Sequence, residues 1–185
     1  MKYLFPFLIT ILSLGIGISQ NAEQVVEKID LPDKILWLNL EEAKNISVQA
    51  NRKVMVFLYT DWCVWCRKME KNTFRNETIA NIVNSNFLPV TFDAENEKAI
   101  EFQNKSYSYQ DIEPRGVHEL AMELMGGRVT YPTIAFFNEK WELIQSIPNF
   151  HAADEFEMIL TYFAGDFFKK TPWTSYKKNY IPIKK

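Results

Sequence analysis

Phe57-Leu58-Tyr59-Thr60-Asp61-Trp62-Cys63-Val64-Trp65-Cys66-Arg67-Lys68-Met69-Glu70 decides how this chain is read. It begins inside an apolar run, Val54-Met55-Val56-Phe57-Leu58-Tyr59, which suits a strand buried on both faces. After Cys63 the pattern turns helical at once, with Met69 and Phe74 set among Lys68, Glu70, Lys71 and Arg75. Strand, C-x-x-C, helix puts the first sulfur at a helix N-terminus, where unpaired N–H groups and the helix dipole favour a thiolate. The second sulfur then lies one turn deeper, within reach to resolve a mixed disulfide.

Cys63 and Cys66 are the only cysteines, so other uses of the pair can be weighed directly. A zinc site needs four Cys or His ligands, and neither His118 nor His151 is spaced to complete one. A haem attachment needs histidine after the second cysteine, where this chain has Arg67. A structural staple gains little from so short a loop. The expected chemistry is therefore a reversible Cys63–Cys66 couple, with no metal and no other cofactor.

The chain's 185 residues, 47% of them hydrophobic, suffice for one well-buried domain. A formal net charge of −2 gives no basic field for nucleic acid. Lys2 followed by the apolar residues 4–18, with Gly17 and Ser19 at −3 and −1, reads as a signal peptide over 1–19 cleaved before Gln20. The run is short for a membrane span. Export, to a periplasm or beyond, places the cysteines where a disulfide persists. A dithiol working there as a reductant needs electrons from an unidentified donor.

Residues 20–34 read as a polar linker, and 35–38 as a short strand whose Trp37 belongs to the core. Asn39 and Glu42 have capping-box spacing ahead of a helix striped by Leu40, Ala43 and Ile46. The helix after Cys63 breaks near 72–76 and resumes over 77–84, and the next strand is 87–93 with Pro89 inside it. An insertion over 95–128 follows: a hairpin of 100–103 with 106–109, then a helix predicted over 114–125 that carries His118 and ends at Gly126-Gly127. His118 reads as a structural histidine. Tyr131-Pro132 leads into a strand over 134–137, a turn at 138–140, a return strand over 141–144, and a helix over 153–164. The tail 166–185 carries net charge +5 with Trp173, Tyr176 and Tyr180. Its aromatics are expected to fold back on the domain rather than touch a membrane.

This α/β order, with Trp62-Cys63-Val64-Trp65-Cys66 and a proline ahead of a strand, resembles the thioredoxin-like fold: a central mixed sheet flanked by helices over 35–165, with a hairpin-plus-helix insertion before the proline strand. The words Asp61 to Glu70 and Arg128 to Thr133 are similar to exported thioredoxin-like proteins of the Bacteroidetes type. The resemblance implies a cis Tyr131–Pro132 peptide packed on the Cys63–Cys66 turn, with the Tyr131 backbone pairing to a client strand. It implies Cys63 as nucleophile and Cys66 as resolving thiol. Trp62, Val64, Trp65, Tyr131 and Pro132 then form the substrate-binding surface, and the partners are proteins with thiols or disulfides. Two family features are missing: Phe57 replaces a buried acid, and Pro89 falls near the place of a lysine. Cys66 must lose its proton another way, through water or Glu70. Val64 and Trp65 bring no cation to the thiolate, which leans towards a reductase or isomerase. The rival reading is a binding or chaperone-like module with a fixed disulfide.

Overall fold

The structure is a computed structural model, and it describes residues 34–183. The signal peptide and nearly all of the linker lie outside the described residues.

The chain runs α1 (Leu40–Ala50), β1 (Lys53–Tyr59), α2 (Val64–Asn72), α3 (Glu77–Asn86) and β2 (Phe87–Asp93). The insertion contributes β3 (Ile100–Phe102), β4 (Lys105–Tyr107), β5 (Tyr109–Gln110), β6 (Val117–His118) and α4 (Glu119–Leu124). Then come β7 (Thr133–Phe137), β8 (Leu143–Pro148), α5 (Ala153–Ala164), a single 3-10 turn Phe167–Lys169, and α6 (Trp173–Asn179).

Four strands make the main sheet in the order β2-β1-β7-β8, with β1 parallel to β2 and antiparallel to β7. Being central, β1 needs apolar side chains on both faces, and six of its seven residues are buried. Alternation sends Met55 and Phe57 to one core with Met69, Ile79, Phe156 and Phe163. Val54, Val56 and Leu58 go to a second core with Ala43, Leu120 and Leu124. Each of these buried side chains larger than alanine is worth about 1.5–3 kcal/mol. Trp37 packs its ring against Phe57 and Phe74.

Helix α1 starts with the full capping box: Glu42 N–H donates to Asn39 at 2.9 Å, and Asn39 N–H donates to the Glu42 carboxylate at 2.7 Å. The strand expected over 35–38 is reduced to one bridge. Leu38 N–H donates to Pro89 O at 2.9 Å, and Thr91 N–H donates to Leu38 O at 3.0 Å. Because successive residues of a strand bond to alternate sides, these contacts put the missing Pro89 N–H on the outer side, away from β1.

The insertion departs most from expectation. The helix predicted from 114 begins only at Glu119, because Val117 pairs with Gln110 and His118 with Tyr109. Val117 is thus buried from a strand, although it falls on the helical stripe. A Cβ on Gly116 would lie 2.7 Å from the Gln110 carbonyl, so only glycine allows this approach. His118 is fully buried and caps α4, its Nδ1 accepting the Leu120 N–H at 3.2 Å. Its Nε2 then carries the proton and donates to Lys98 O at 3.1 Å. Burial lowers its pKa, which keeps the ring neutral. The return strand begins at Leu143 instead of Trp141, which sits in the turn at φ 62°. The Asn138 side chain holds that turn by accepting from Lys140 N–H and Glu142 N–H.

The tail aromatics fold back onto α5: Trp173 and Tyr176 pack on Tyr162. Tyr180 Oη and Ile183 N–H donate to the buried Glu157 carboxylate at 2.7 and 2.8 Å. Among the described residues no helix is long and apolar enough to cross a membrane. Replacing Tyr180 by Phe removes a donor from a buried carboxylate, and should lower unfolding free energy by about 1.5 kcal/mol in urea titrations. Burial and Glu157 push the Tyr180 phenol up to about 12. Its contribution is full below the ordinary value near 10 and lost as pH rises towards 12. The Phe variant should show a shallower loss of stability across that window.

Candidate active site

The site begins where β1 runs out. Cys63 N–H donates to Thr60 O at 3.1 Å, and the Arg67 guanidinium holds Asp61 O at 2.5 Å, so the turn into α2 is tied at both ends. Cys63 is the N-cap of α2, and its Sγ accepts the Cys66 N–H at 3.0 Å, as an N-cap oxygen would. The two cysteines are joined as a disulfide with Cα atoms 5.2 Å apart. Cys63 is 4% exposed and Cys66 1%. Of the two, Cys63 lines an open groove and Cys66 does not, so a reagent entering there meets Cys63.

The Tyr131–Pro132 peptide is cis. Thr133 Oγ1 donates to Thr130 O at 2.7 Å, and Asn149 N–H donates to Pro132 O at 2.8 Å, which fixes the bend ahead of β7. Among the described residues no hydrogen bond takes up the Tyr131 backbone N–H or C=O. The Tyr131 ring meets Trp62 edge to face at 5.9 Å.

The groove measures about 690 Å³. Trp62, Val64, Trp65 and Tyr131 all line it, whereas Pro132 is buried and off the lining. Most of its remaining wall comes from the insertion, through Glu95, Ile112, Glu113 and Arg115, with Val129 beside it. The Trp62 indole N–H donates to the Glu95 carboxylate at 2.8 Å, and the Arg115 guanidinium stacks over the Trp62 ring at 4.7 Å. No periodicity marks these residues in the sequence. Glu95 merely follows a strand, and Arg115 sits in a stretch read as helix. On the other flank, Trp65 packs on Phe150 with the Lys68 ammonium 4.4 Å above it.

The electrostatics at this end of the sheet are acidic. Burial, then the charges of Glu95 and Asp93, push the Tyr131 phenol up to about 12. Burial chiefly raises the Asp93 carboxyl, with repulsion from Asp61 and Glu95 added. Tyr59 is raised by burial and by Asp93, Asp61 and Glu70. Beneath the cysteines, Phe57 is paired with Thr91; Pro89 sits two residues back, opposite Met55. Neither Phe57 nor Thr91 offers a charge. Glu70 is exposed and lines a hollow of about 330 Å³ with Phe57, Thr91 and Trp37. His118 is a helix cap, and His151 is bonded to Glu155 at 3.0 Å and Pro148 O at 3.1 Å. No cluster of metal-ligating side chains occurs among the described residues.

The family description "Thioredoxin-like domain" matches residues 40–164. The chain belongs to the thioredoxin-like family. A C-x-x-C pair on this fold is the equipment of thiol–disulfide oxidoreductases generally. Two solved structures share the fold. One is a thioredoxin from Thermus thermophilus, 18% identical with TM-score 0.51, covering 69% of this chain and 85% of that one. The other is a thioredoxin-fold protein from Helicobacter pylori, 12% identical with TM-score 0.52, covering 81% and 89%. An uncharacterised protein of Archaeoglobus fulgidus is 27% identical over 62 residues, 34% of this chain. The chain spans about half the length of that curated relative.

The Tyr131 environment gives a direct test. A difference titration at 295 nm between the protein and its Tyr131→Phe variant should show one phenol ionising near 12. A midpoint near the ordinary value of 10 would mean the groove is neither dry nor acidic.

Proposed function

We propose that this thioredoxin-like protein is a thiol–disulfide oxidoreductase of exported proteins, working as a reductant or isomerase. The observation that carries the reading is the asymmetry of the pair: Cys63 caps α2 and faces the groove, while Cys66 is sealed behind it. In the reduced protein, the Cys63 thiolate attacks one sulfur of a client disulfide. The client bond breaks, one client thiolate leaves, and a mixed disulfide forms. Cys66 then loses its proton and attacks Cys63 Sγ. The client departs with its second thiol, and the Cys63–Cys66 disulfide remains. Two electrons pass from the protein to the client, and a reduced dithiol protein must restore them.

The Tyr131 backbone, beside the cis peptide and without a partner among the described residues, is suited to pairing with an extended client strand. Water in the hollow shared by Glu70 and Phe57 is the proposed route for the Cys66 proton. Charge supports this direction of electron flow. The helix end stabilises a Cys63 thiolate, but Asp61, Asp93 and Glu95 oppose an added anion nearby. Arg115 and Lys68 are engaged over Trp62 and Trp65. A less stabilised reduced form makes a more reducing couple. Export rests on the leader pattern of residues 1–19.

In a dithiol-dependent insulin-reduction assay, Cys63→Ser should abolish turnover, and Cys66→Ser should accumulate mixed disulfides with clients. No insulin reduction, with client binding that survives alkylation of both thiols, would instead favour a binding module. The reduction potential of the couple should fall near thioredoxin's, about −270 mV, and far from the roughly −120 mV of a strong oxidant.

A further inference from the structure

Disulfide exchange needs Cys63, Cys66 and a backbone dock, yet the groove has a third wall that the chemistry does not require. The insertion supplies it through Ile112, Glu113 and Arg115. Five of the eleven exposed large apolar side chains among the described residues line this one groove: Trp62, Val64, Trp65, Ile112 and Val129. Exposed apolar surface so concentrated marks a binding site. The wall is held firmly. Gly116 lies tight against the Gln110 carbonyl, β6 is paired with β5, and Glu95 and Arg115 grip Trp62 from two directions. Its charge is net acidic. Among the described residues Glu95 and Glu113 line the groove against one cation, Arg115; Glu95 and Arg115 are both held on Trp62, and no hydrogen bond or ion pair engages the exposed Glu113 carboxylate.

We propose that the insertion wall, with Val129 beside it, selects clients by sequence, seating an extended polypeptide whose cysteine is flanked by a bulky apolar residue, against Ile112 and Val129, and by a basic residue, facing Glu113. The inference deepens the oxidoreductase reading and rests on it for the nature of the client. An extended segment fits because the Tyr131 backbone groups, unpaired among the described residues, lie on the same groove. A basic flank fits because, with Glu95 and Arg115 both held on Trp62, the exposed Glu113 carboxylate is the lining charge left open among the described residues.

The test uses synthetic peptides of sequence Leu-Cys-Lys, Leu-Cys-Glu and Gly-Cys-Lys within a common neutral frame. Each cysteine is blocked as a mixed disulfide with a nitrothiobenzoate chromophore. The reduced protein releases one chromophore thiol and one peptide thiol, and becomes oxidised. The second-order rate constant for single-turnover release from Leu-Cys-Lys should exceed that from Gly-Cys-Lys about tenfold, and that from Leu-Cys-Glu about threefold. Glu113→Lys should reverse the Lys-over-Glu order, and Ile112→Ser should flatten the Leu-over-Gly ratio; both positions are exposed. Ratios near one in the unsubstituted protein, or ratios untouched by both substitutions, would overturn the proposal. If no peptide releases chromophore, the oxidoreductase reading fails on its own. Binding of the same peptides with serine for cysteine, read by tryptophan fluorescence, then decides about the wall. The same rank order upholds selection, and absent or unranked binding ends it.

Discussion

One hydrogen bond organises the chemistry of this molecule: the Cys66 amide donated to the Cys63 sulfur. It makes the proposed nucleophile double as a helix cap, so the sulfur sits at the positive end of α2. That placement holds only if α2 cannot roll. Met69, buried in the core one turn on, anchors the helix to the sheet, and the Arg67–Asp61 and Cys63–Thr60 contacts lock the turn before it. The sulfur's position is therefore a property of the whole first core, from β1 to α5.

The same core explains how the site differs from the family pattern. Below the cysteines stand Phe57 and Thr91, with Phe57 packed in an aromatic group that includes Trp37, Tyr59 and Phe74. An ionised acid in that company would be costly unless paired. Charge stands instead at the mouth, where Asp61, Asp93 and Glu95 gather around Tyr131 and Tyr59. Their field is felt from the groove side, in reach of solvent and of a client.

The sequence was most readable where one periodicity had one cause. The β1 run, the cap at Asn39, the break before Asn76 and the stripe of α5 each follow from local chemistry, and the structure shows all four. It was least readable in the insertion, where Val117, Leu120, Ala121 and Leu124 fit a helix but share one core from two kinds of element. Tertiary pairing with β5 overrode the period. The cysteine pair announces itself by spacing, whereas Glu95, Ile112 and Arg115 become part of the site only because the chain returns to Trp62 over a distance no motif records.

The single-residue bridge at Leu38 has a consequence for how the molecule behaves in company. A parallel strand with open backbone groups is a template on which other chains can polymerise. Along the outer side of β2, Leu38 occupies the Pro89 carbonyl and the Thr91 amide, and Pro89 has no donor to offer. A stray strand arriving there finds these groups already taken, which guards that flank against sheet extension into dimers or fibrils.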